Sequence, residues 1–141
     1  MASVFPHCLS MLVAREVHLD RATGQASILG VVHRIIVSGV PATHPGVVIW
    51  AELTGGRGVV VLTVTAMRLD RRTMDEHVIT TVQLKSTFMD PHEVHFVDVT
   101  LADIPLTEPG MILFRLACDG IAIMERSVQV IVAGSEKTHE S

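Results

Sequence analysis

The sequence predicts an all-β protein: a two-sheet antiparallel β-sandwich, immunoglobulin-like, with about eight strands. Three observations lead to this prediction. Apolar residues recur with a period of two along most segments, glycine-containing turns separate the segments at regular spacing, and no segment shows a convincing helical period. A single eight-stranded sheet would leave an apolar face in water, so two packed sheets are favoured. A closed β-barrel is the alternative.

The first two strands are predicted at residues 9–19 and 25–38. Along residues 9–19 the odd positions are apolar except for Arg15, which indicates a half-buried strand. Residues 20–24 follow with Asp and Gly, which suit a turn. Residues 25–38 are rich in β-branched side chains on both faces, which predicts a strand covered on both sides or one that bulges near Gly30.

Four central strands are predicted at residues 47–54, 59–65, 77–84 and 97–101. The first two alternate on either side of a glycine-rich hairpin loop at residues 55–58. The third follows the most charged segment of the chain, and its predicted inward residues are Val78, Val82 and Leu84. In the fourth, valines and a leucine alternate with Asp and Thr.

The last hairpin joins residues 111–118 to a return strand that ends at Val132. Asp119-Gly120 lies between the two runs, and Gly accepts the positive φ that such a turn needs. On the first of these strands Cys118 shares a face with Phe114 and Leu116, which predicts a small core residue.

Length and composition indicate one domain over residues 1–133, followed by a flexible polar tail at residues 134–141. The net charge is −4 with scattered basic residues, which argues against nucleic acid or an acidic membrane as the main partner. The longest apolar stretch is too short for a spanning helix, and the N-terminus is a poor secretion signal. We therefore expect a cytoplasmic protein in which Cys8 and Cys118 are reduced and buried.

Three segments resemble a family of small bacterial proteins of unknown function: A-R-E-V-H-L-D at 14–20, L-T-G-G-R-G at 53–58 and E-P-G-x-x-x-F-R-L-x-x-D-G at 108–120. The resemblance covers most of residues 8–132 and implies a single β-sandwich domain with no activity assigned. The chain departs from the family at Ile112, where Tyr is common, so a tyrosine-corner hydrogen bond is not expected.

Several polar groups have a possible chemical role beside a structural one. The Gly55–Gly58 loop could expose N–H groups and Arg57 to an anion, but it lacks the helix and the Lys-Ser/Thr of a phosphate loop, so a plain hairpin turn is favoured. His92 and His95 would point to opposite faces of a strand, so joint metal binding is disfavoured, although a site assembled with His77 stays open.

The charged segment around residue 70 is a second such case. Asp70, Asp75 and Glu76 could line a calcium loop, but Arg71 and Arg72 between them would repel a cation, so a solvated loop is favoured. No cysteine has a neighbouring base that would activate it, and no catalytic motif is present.

The strongest functional signal is apolar side chains on positions opposite the predicted core. The registers place Val48 and Trp50, Val59 and Val61, and Met111 and Leu113 on outer surfaces, where apolar patches usually mark association; coverage by loops or a register error is the alternative. The candidate partner-binding residues are Trp50, Val48, Met111, Leu113 and Arg57, with Trp50 as the natural anchor.

These observations predict a non-enzymatic interaction or structural module that self-associates through an apolar sheet face. We expect no cofactor, metal, nucleic acid or membrane, and a partner that is a second copy or another protein. The alternative is a small-ligand or metal-binding domain that uses Arg57 or the histidines at positions 77, 92 and 95.

Overall fold

A computed structural model describes residues 4–70 and 72–136 and confirms the predicted all-β class. Its described residues form nine strands and one short helix. The strands are β1 (His7–Asp20), β2 (Gln25–Val31), β3 (Arg34–Val37), β4 (Ala42–Thr54), β5 (Gly58–Leu69), β6 (Glu76–Phe88), β7 (Val94–Leu106), β8 (Gly110–Cys118) and β9 (Ile121–Val132).

The strands form two sheets that pack face to face, as predicted for a sandwich. Sheet A has the order β2-β1-β4-β7, and sheet B has the order β3-β9-β8-β5-β6. Among the described strands none pairs with a strand of the other sheet, so the structure is not the closed barrel that was the alternative.

Residues 25–38 form two strands in different sheets rather than one long strand. β2 pairs with β1 in sheet A, whereas β3 pairs with β9 in sheet B. Gly30 has a φ of +67° just before the crossing, and the N–H of Val32 donates to the carbonyl of Val13. The less exposed residues are at even positions up to Val32 and at odd positions from Ile35, and β-branched residues on both faces hide this change of phase in the sequence.

The β3–β9 pair is parallel, so the prediction of a wholly antiparallel sandwich is wrong at this edge. That prediction relied on the absence of a long helical crossover, which is required only when the two parallel strands are consecutive in the chain. Five strands, β4 to β8, lie between β3 and β9 in the chain. β3 therefore reaches the edge of sheet B because the chain crosses over from sheet A, and not through a βαβ connection.

The core lies between the sheets and follows the predicted alternation. Val47 and Ile49 of β4 face Leu62 and Val64 of β5 across an interior of branched side chains, and Phe114 fills its centre; all five are almost fully buried. Cys118 is also fully buried on the same face, which confirms its prediction as a core residue.

Two register shifts move apolar residues out of the core. An irregularity between Cys8 and Ser10 leaves Leu9 55% exposed. A bulge at Ala66–Met67 shifts the partner strand, so Val78 is 66% exposed and its predicted inward position is wrong. A bulge adds one residue to one strand and reverses the faces beyond it, which simple alternation does not anticipate.

One hairpin extends beyond the body of sheet A. Pairing of β1 with β4 ends at Ala14, and pairing with β2 starts at the same residue. Residues 15–31 therefore form a two-stranded ribbon (the β1–β2 ribbon), whose side chains are mostly exposed. Two-stranded ribbons are marginally stable by themselves, so this one depends on its continuity with sheet A.

A short helix, Ala133–Glu136, follows β9. The predicted polar tail starts inside this helix at Gly134, and residues 137–141 of that tail lie outside the described residues. Residues 1–3 of the predicted domain also lie outside them, and the domain boundaries stay a prediction.

Candidate interaction surfaces

Val48 and Trp50 project from the outer side of sheet A, opposite the core positions Val47 and Ile49 of the same strand. The predicted exposure of Trp50 is wrong, because only 3% of the residue is exposed. Its ring stacks on Phe96 of β7 with centroids 5.1 Å apart and an interplanar angle of 22°. Phe96 is 45% exposed and forms the accessible surface of this aromatic pair.

Two carboxylates flank the aromatic pair. Trp50 lies opposite Asp98 in the β4–β7 register, and Glu52 lies opposite Phe96. We call these four residues the four-residue cell. Its two aromatic rings lie on one diagonal, and its two carboxylates lie on the other. Among the described residues neither carboxylate has an ion-pair or hydrogen-bond partner. The indole Nε1–H of Trp50 is buried and also lacks a partner there. Within the described part of the chain, the four-residue cell thus contains two unpaired carboxylates and a buried, unpaired N–H.

The rest of this surface is apolar or acidic. By register, the outer positions of sheet A contain Glu16 and Asp20 as further carboxylates and, within the described strands, no Lys or Arg. Glu16 accepts a hydrogen bond from His18 at 2.9 Å. We call this surface the Trp50 face; its apolar members are Leu12, Ala14, Leu29, Val31, Val48, Trp50, Val94 and Phe96.

Met111 and Leu113 lie on the opposite side of the molecule, on the outer side of sheet B, and both are half-buried. They therefore cannot form one surface with Trp50 and Val48. Their rows continue with apolar residues on β5, whereas their partners on β9 are the polar Gln129 and Ser127. We call this surface the Leu113 patch; its members are Ile36, Leu69, Val78, Met111, Leu113 and Ile131, with Met67 beneath them.

An ion-pair row borders the Leu113 patch. Arg115 of β8 donates to both oxygens of Glu76 on β6, at 3.0 and 2.9 Å, and its Nε donates to Glu125 on β9 at 2.6 Å. The hydrogen bonds from Arg115 lower the pKa of Glu76, and those to Glu76 and Glu125 raise the pKa of Arg115. The guanidinium spans β5 and covers Met67, which is only 2% exposed.

Arg57 is exposed in a loop that the structure uses as a packed turn. The N–H of Gly55 donates to the carbonyl of Pro91 at 2.9 Å, and Arg57 and Val4 exchange two backbone hydrogen bonds. These N–H groups are therefore not free to hold an anion. A role for the Arg57 side chain in binding stays a prediction.

The structure does not bring the three candidate histidines together. His77 lies at the start of β6, whereas His95 contacts Phe88 at the end of that strand, with ring centroids 4.4 Å apart. Eleven strand residues separate the two positions by roughly 35 Å. His92 is exposed in the turn before β7. Among the described residues no three His, Cys, Asp or Glu side chains form a group suited to a metal ion.

The predicted alternative use of Asp70, Asp75 and Glu76 as calcium ligands also finds no supporting geometry. The carboxylate of Asp70 accepts the backbone N–H groups of Arg72 and Thr73, which lowers its pKa, and its carbonyl accepts the N–H of Met74. Glu76 is held by Arg115 as described above. The carboxylate of Asp70 therefore shapes the β5–β6 turn; Arg71 lies outside the described residues.

Both cysteines are free thiols. Cys118 is fully buried, as predicted, whereas Cys8 is only half-buried and its Sγ donates to the carbonyl of Ser10 at 3.3 Å. Desolvation raises the pKa of both thiols. A raised pKa keeps a thiol protonated and unreactive near neutral pH.

Comparison of the sequence with known families gives one informative result. The pattern of a family of unknown function, DUF6941, matches residues 9–131. The chain belongs to this family. The match agrees with the resemblance deduced from the sequence, and the family brings no activity with it.

Similarity of this DUF6941 protein to solved structures is weak. A β-glucosidase from Listeria innocua in complex with glucose has 8% identity and a TM-score of 0.48, covering 90% of this chain and 16% of that one. A β-glucosidase from Kluyveromyces marxianus has 14% identity and a TM-score of 0.44, covering 67% and 14%. The chain thus spans about a sixth or less of these enzymes. No curated protein matches the sequence.

Within its described part the DUF6941 chain has no helix long and apolar enough to span a membrane. Sequence reasoning missed two features of its outer surfaces, the Trp50–Phe96 stack and the Arg115 ion-pair row. Each joins residues from strands that are adjacent in space but distant in the chain, so strand order had to be known first. Phe96 does carry a signal, since it is an aromatic residue at an outward position of a strand whose next two outward residues are Asp98 and Thr100.

Proposed function

We propose that this DUF6941 protein is a non-enzymatic interaction module that forms a homodimer through the Leu113 patch. The observation that carries the proposal is the number of apolar side chains on the outer side of sheet B, to which five strands contribute and between which Gln129, Ser127 and the Arg115–Glu76 ion pair lie. Val78 and Ile36 are 66% and 56% exposed at its two sides, and Met111 and Leu113 are half-exposed between them. Exposed apolar side chains grouped on one face of a sheet are typical of association sites.

The charges around the Leu113 patch favour contact with an identical copy. In a two-fold dimer each patch meets itself, so an unpaired charge near the axis would face its own image. The carboxylates of Glu76 and Glu125 at the border are both held by Arg115, which removes most of that repulsion. The Trp50 face lacks such compensation, because Glu52 and Asp98 have no cationic partner among the described residues.

The alternative function, a small-ligand or metal-binding domain, has no supporting geometry among the described residues, and this favours an interaction role. The histidines at the two ends of the sandwich do not converge, and the backbone of the glycine-rich loop is used internally. Within the described residues neither feature offers a set of groups arranged for ligand binding or catalysis.

The proposal is tested by the mass in solution, measured by light scattering after size exclusion over a wide concentration range. The wild type is expected at twice the 15.3 kDa chain mass. Val78→Glu is expected at the monomer mass without loss of fold, because Val78 is 66% exposed and contributes little to the core. Leu113→Glu should act in the same direction.

Val94→Glu is the matched control, since it adds the same charge to a half-exposed valine on the outer side of sheet A. It should leave the mass unchanged. A wild type that stays at the monomer mass at the highest concentration would refute the proposal, as would a dimer that Val94→Glu disrupts and Val78→Glu does not.

A further inference from the structure

We propose that the Trp50 face binds an arginine-bearing apolar segment of another protein, with the guanidinium seated on Phe96 between Glu52 and Asp98. This binding is separate from the proposed dimer, because the Trp50 face and the Leu113 patch lie on opposite sides of the sandwich. Self-association is disfavoured here, since like charges would meet across a two-fold axis.

The four-residue cell has the composition that a guanidinium requires. Phe96 presents an aromatic ring that is 45% exposed and is held in place by its stack on the buried ring of Trp50. A cation above such a ring is attracted by the negative charge of its face. Asp98 and Glu52 stand on either side of the aromatic diagonal, so one guanidinium can reach both carboxylates.

The negative charge of the surrounding surface favours a positively charged partner. The charged residues at the described outer strand positions of sheet A include the four carboxylates Glu16, Asp20, Glu52 and Asp98, and His18 lies beside Glu16. An acidic surface attracts a basic partner and repels an acidic one. Arginine is preferred over lysine, because its planar group both stacks on aromatic rings and pairs with carboxylates.

The apolar part of the face indicates what flanks the arginine. Leu29 and Val31 on the β1–β2 ribbon are 50% and 42% exposed, and Val94 on β7 is 45% exposed on the other side of the cell. Apolar side chains of the partner can cover these residues. The buried Nε1–H of Trp50, which has no partner in the described part of the chain, is one more group that a bound carbonyl could satisfy after a small movement of Phe96.

Trp50 makes the proposal directly measurable, since it is the sole tryptophan of the chain. The probe is the capped peptide acetyl-Leu-Arg-Leu-Arg-Leu-amide, titrated while the fluorescence and the indole N–H resonance of Trp50 are followed. Saturable changes in both are expected. A peptide with citrulline in place of arginine keeps the shape without the charge and should bind at least about tenfold more weakly.

Single substitutions assign the binding to the cell. Glu52→Gln and Asp98→Asn are each expected to weaken binding about three- to tenfold. Phe96→Leu, which keeps apolar bulk but removes the ring, is expected to have an effect of similar size. Asp75→Asn removes the same charge from the β5–β6 turn and should leave the affinity unchanged, and so should the dimer variant Val78→Glu.

Equal binding of the citrulline peptide would overturn the proposal, because it would show apolar adsorption alone. Equal weakening by Asp75→Asn and Asp98→Asn would also overturn it, because net charge and not the cell would then determine affinity. No change in either Trp50 signal at millimolar peptide would do the same. A Val78→Glu variant that is monomeric and still binds the peptide supports both proposals. A wild type that stays monomeric but binds the peptide refutes only the dimer, and a dimeric wild type that does not bind the peptide refutes only the peptide site.

Discussion

Gly56→Ala is expected to destabilise the protein through a steric clash and not through backbone strain. A Cβ placed on Gly56 would lie 2.8 Å from Cγ and 2.9 Å from Cδ1 of Phe88, and 3.1 Å from Cβ of Pro6. Phe88 is 2% exposed and packs in the hydrophobic core. Overpacking of this kind costs about 1–3 kcal/mol, which corresponds to a fall of roughly 3–10 °C in Tm for a chain of this size.

Gly39→Ala is the matched control, because a Cβ at Gly39 meets no atom within 4 Å and its φ is not in the left-handed region. Urea unfolding followed by the fluorescence of Trp50 and by circular dichroism gives the free energy of unfolding for both variants. The change in Gly39→Ala should stay within about 0.5 kcal/mol.

A double-mutant cycle identifies the clashing partner. In a Phe88→Ala background, itself destabilised by about 3–5 kcal/mol, most of the additional cost of Gly56→Ala should disappear, since Cγ and Cδ1 of the ring are gone. If Gly56→Ala proves as neutral as Gly39→Ala, or if its cost is unchanged without the ring, the packing explanation of this loop is refuted.

Three further predictions concern protonation and thiol access. The pKa of Glu76 lies below its ordinary value of 4.5 because of Arg115, so its stabilising effect is present above pH 4.5 and is lost as the pH falls through the lowered pKa; Glu76→Gln should flatten this acid loss in unfolding experiments. Burial lowers the pKa of His44 below 6.5, and its Nδ1 accepts the N–H of Gly46 at 3.1 Å. Because the unfolded chain then binds the proton more readily, stability should fall as the pH drops below 6.5, and less so in His44→Asn, which keeps an acceptor. Iodoacetamide should label half-buried Cys8 before fully buried Cys118 in the native protein, with peptide mass spectrometry as the measurement; simultaneous labelling would contradict the burial of Cys118.

Most of the fold follows from the sequence because it depends on local periodicity. The alternation in β4, β5 and β8 predicts their buried faces, and Cys118 lies in the core as its neighbours Phe114 and Leu116 indicate. The errors occur where a non-local event interrupts the period. The crossing after Val31 and the bulge at Ala66–Met67 change which sheet or face follows; Gly30 indicates a bulge near the crossing, but it does not indicate a change of sheet.

The sequence predicted which residues lie outside the core, but it did not predict which outer surface each of them belongs to. Alternation placed Val48, Trp50, Met111 and Leu113 outside the core, but it could not assign them to opposite sheets, because that assignment depends on strand order. It also could not foresee that Phe96 of β7 would cover Trp50, since the two residues meet through a register spanning more than forty positions. Which outer residue is accessible is thus a tertiary property.

The placement of the two surfaces has a consequence for valency if both proposals hold. A two-fold dimer through the Leu113 patch buries sheet B, so the two Trp50 faces point away from each other on opposite sides of the dimer. Such a dimer cannot close both sites on one short segment, but it can join two segments on separate partners or on one long flexible partner. When one long partner carries both segments, its second segment binds intramolecularly, and the gain in affinity depends on the length of chain between the two arginines. A tandem peptide with a long glycine-serine linker should therefore bind the wild type more tightly than the single peptide, whereas Val78→Glu should bind both alike.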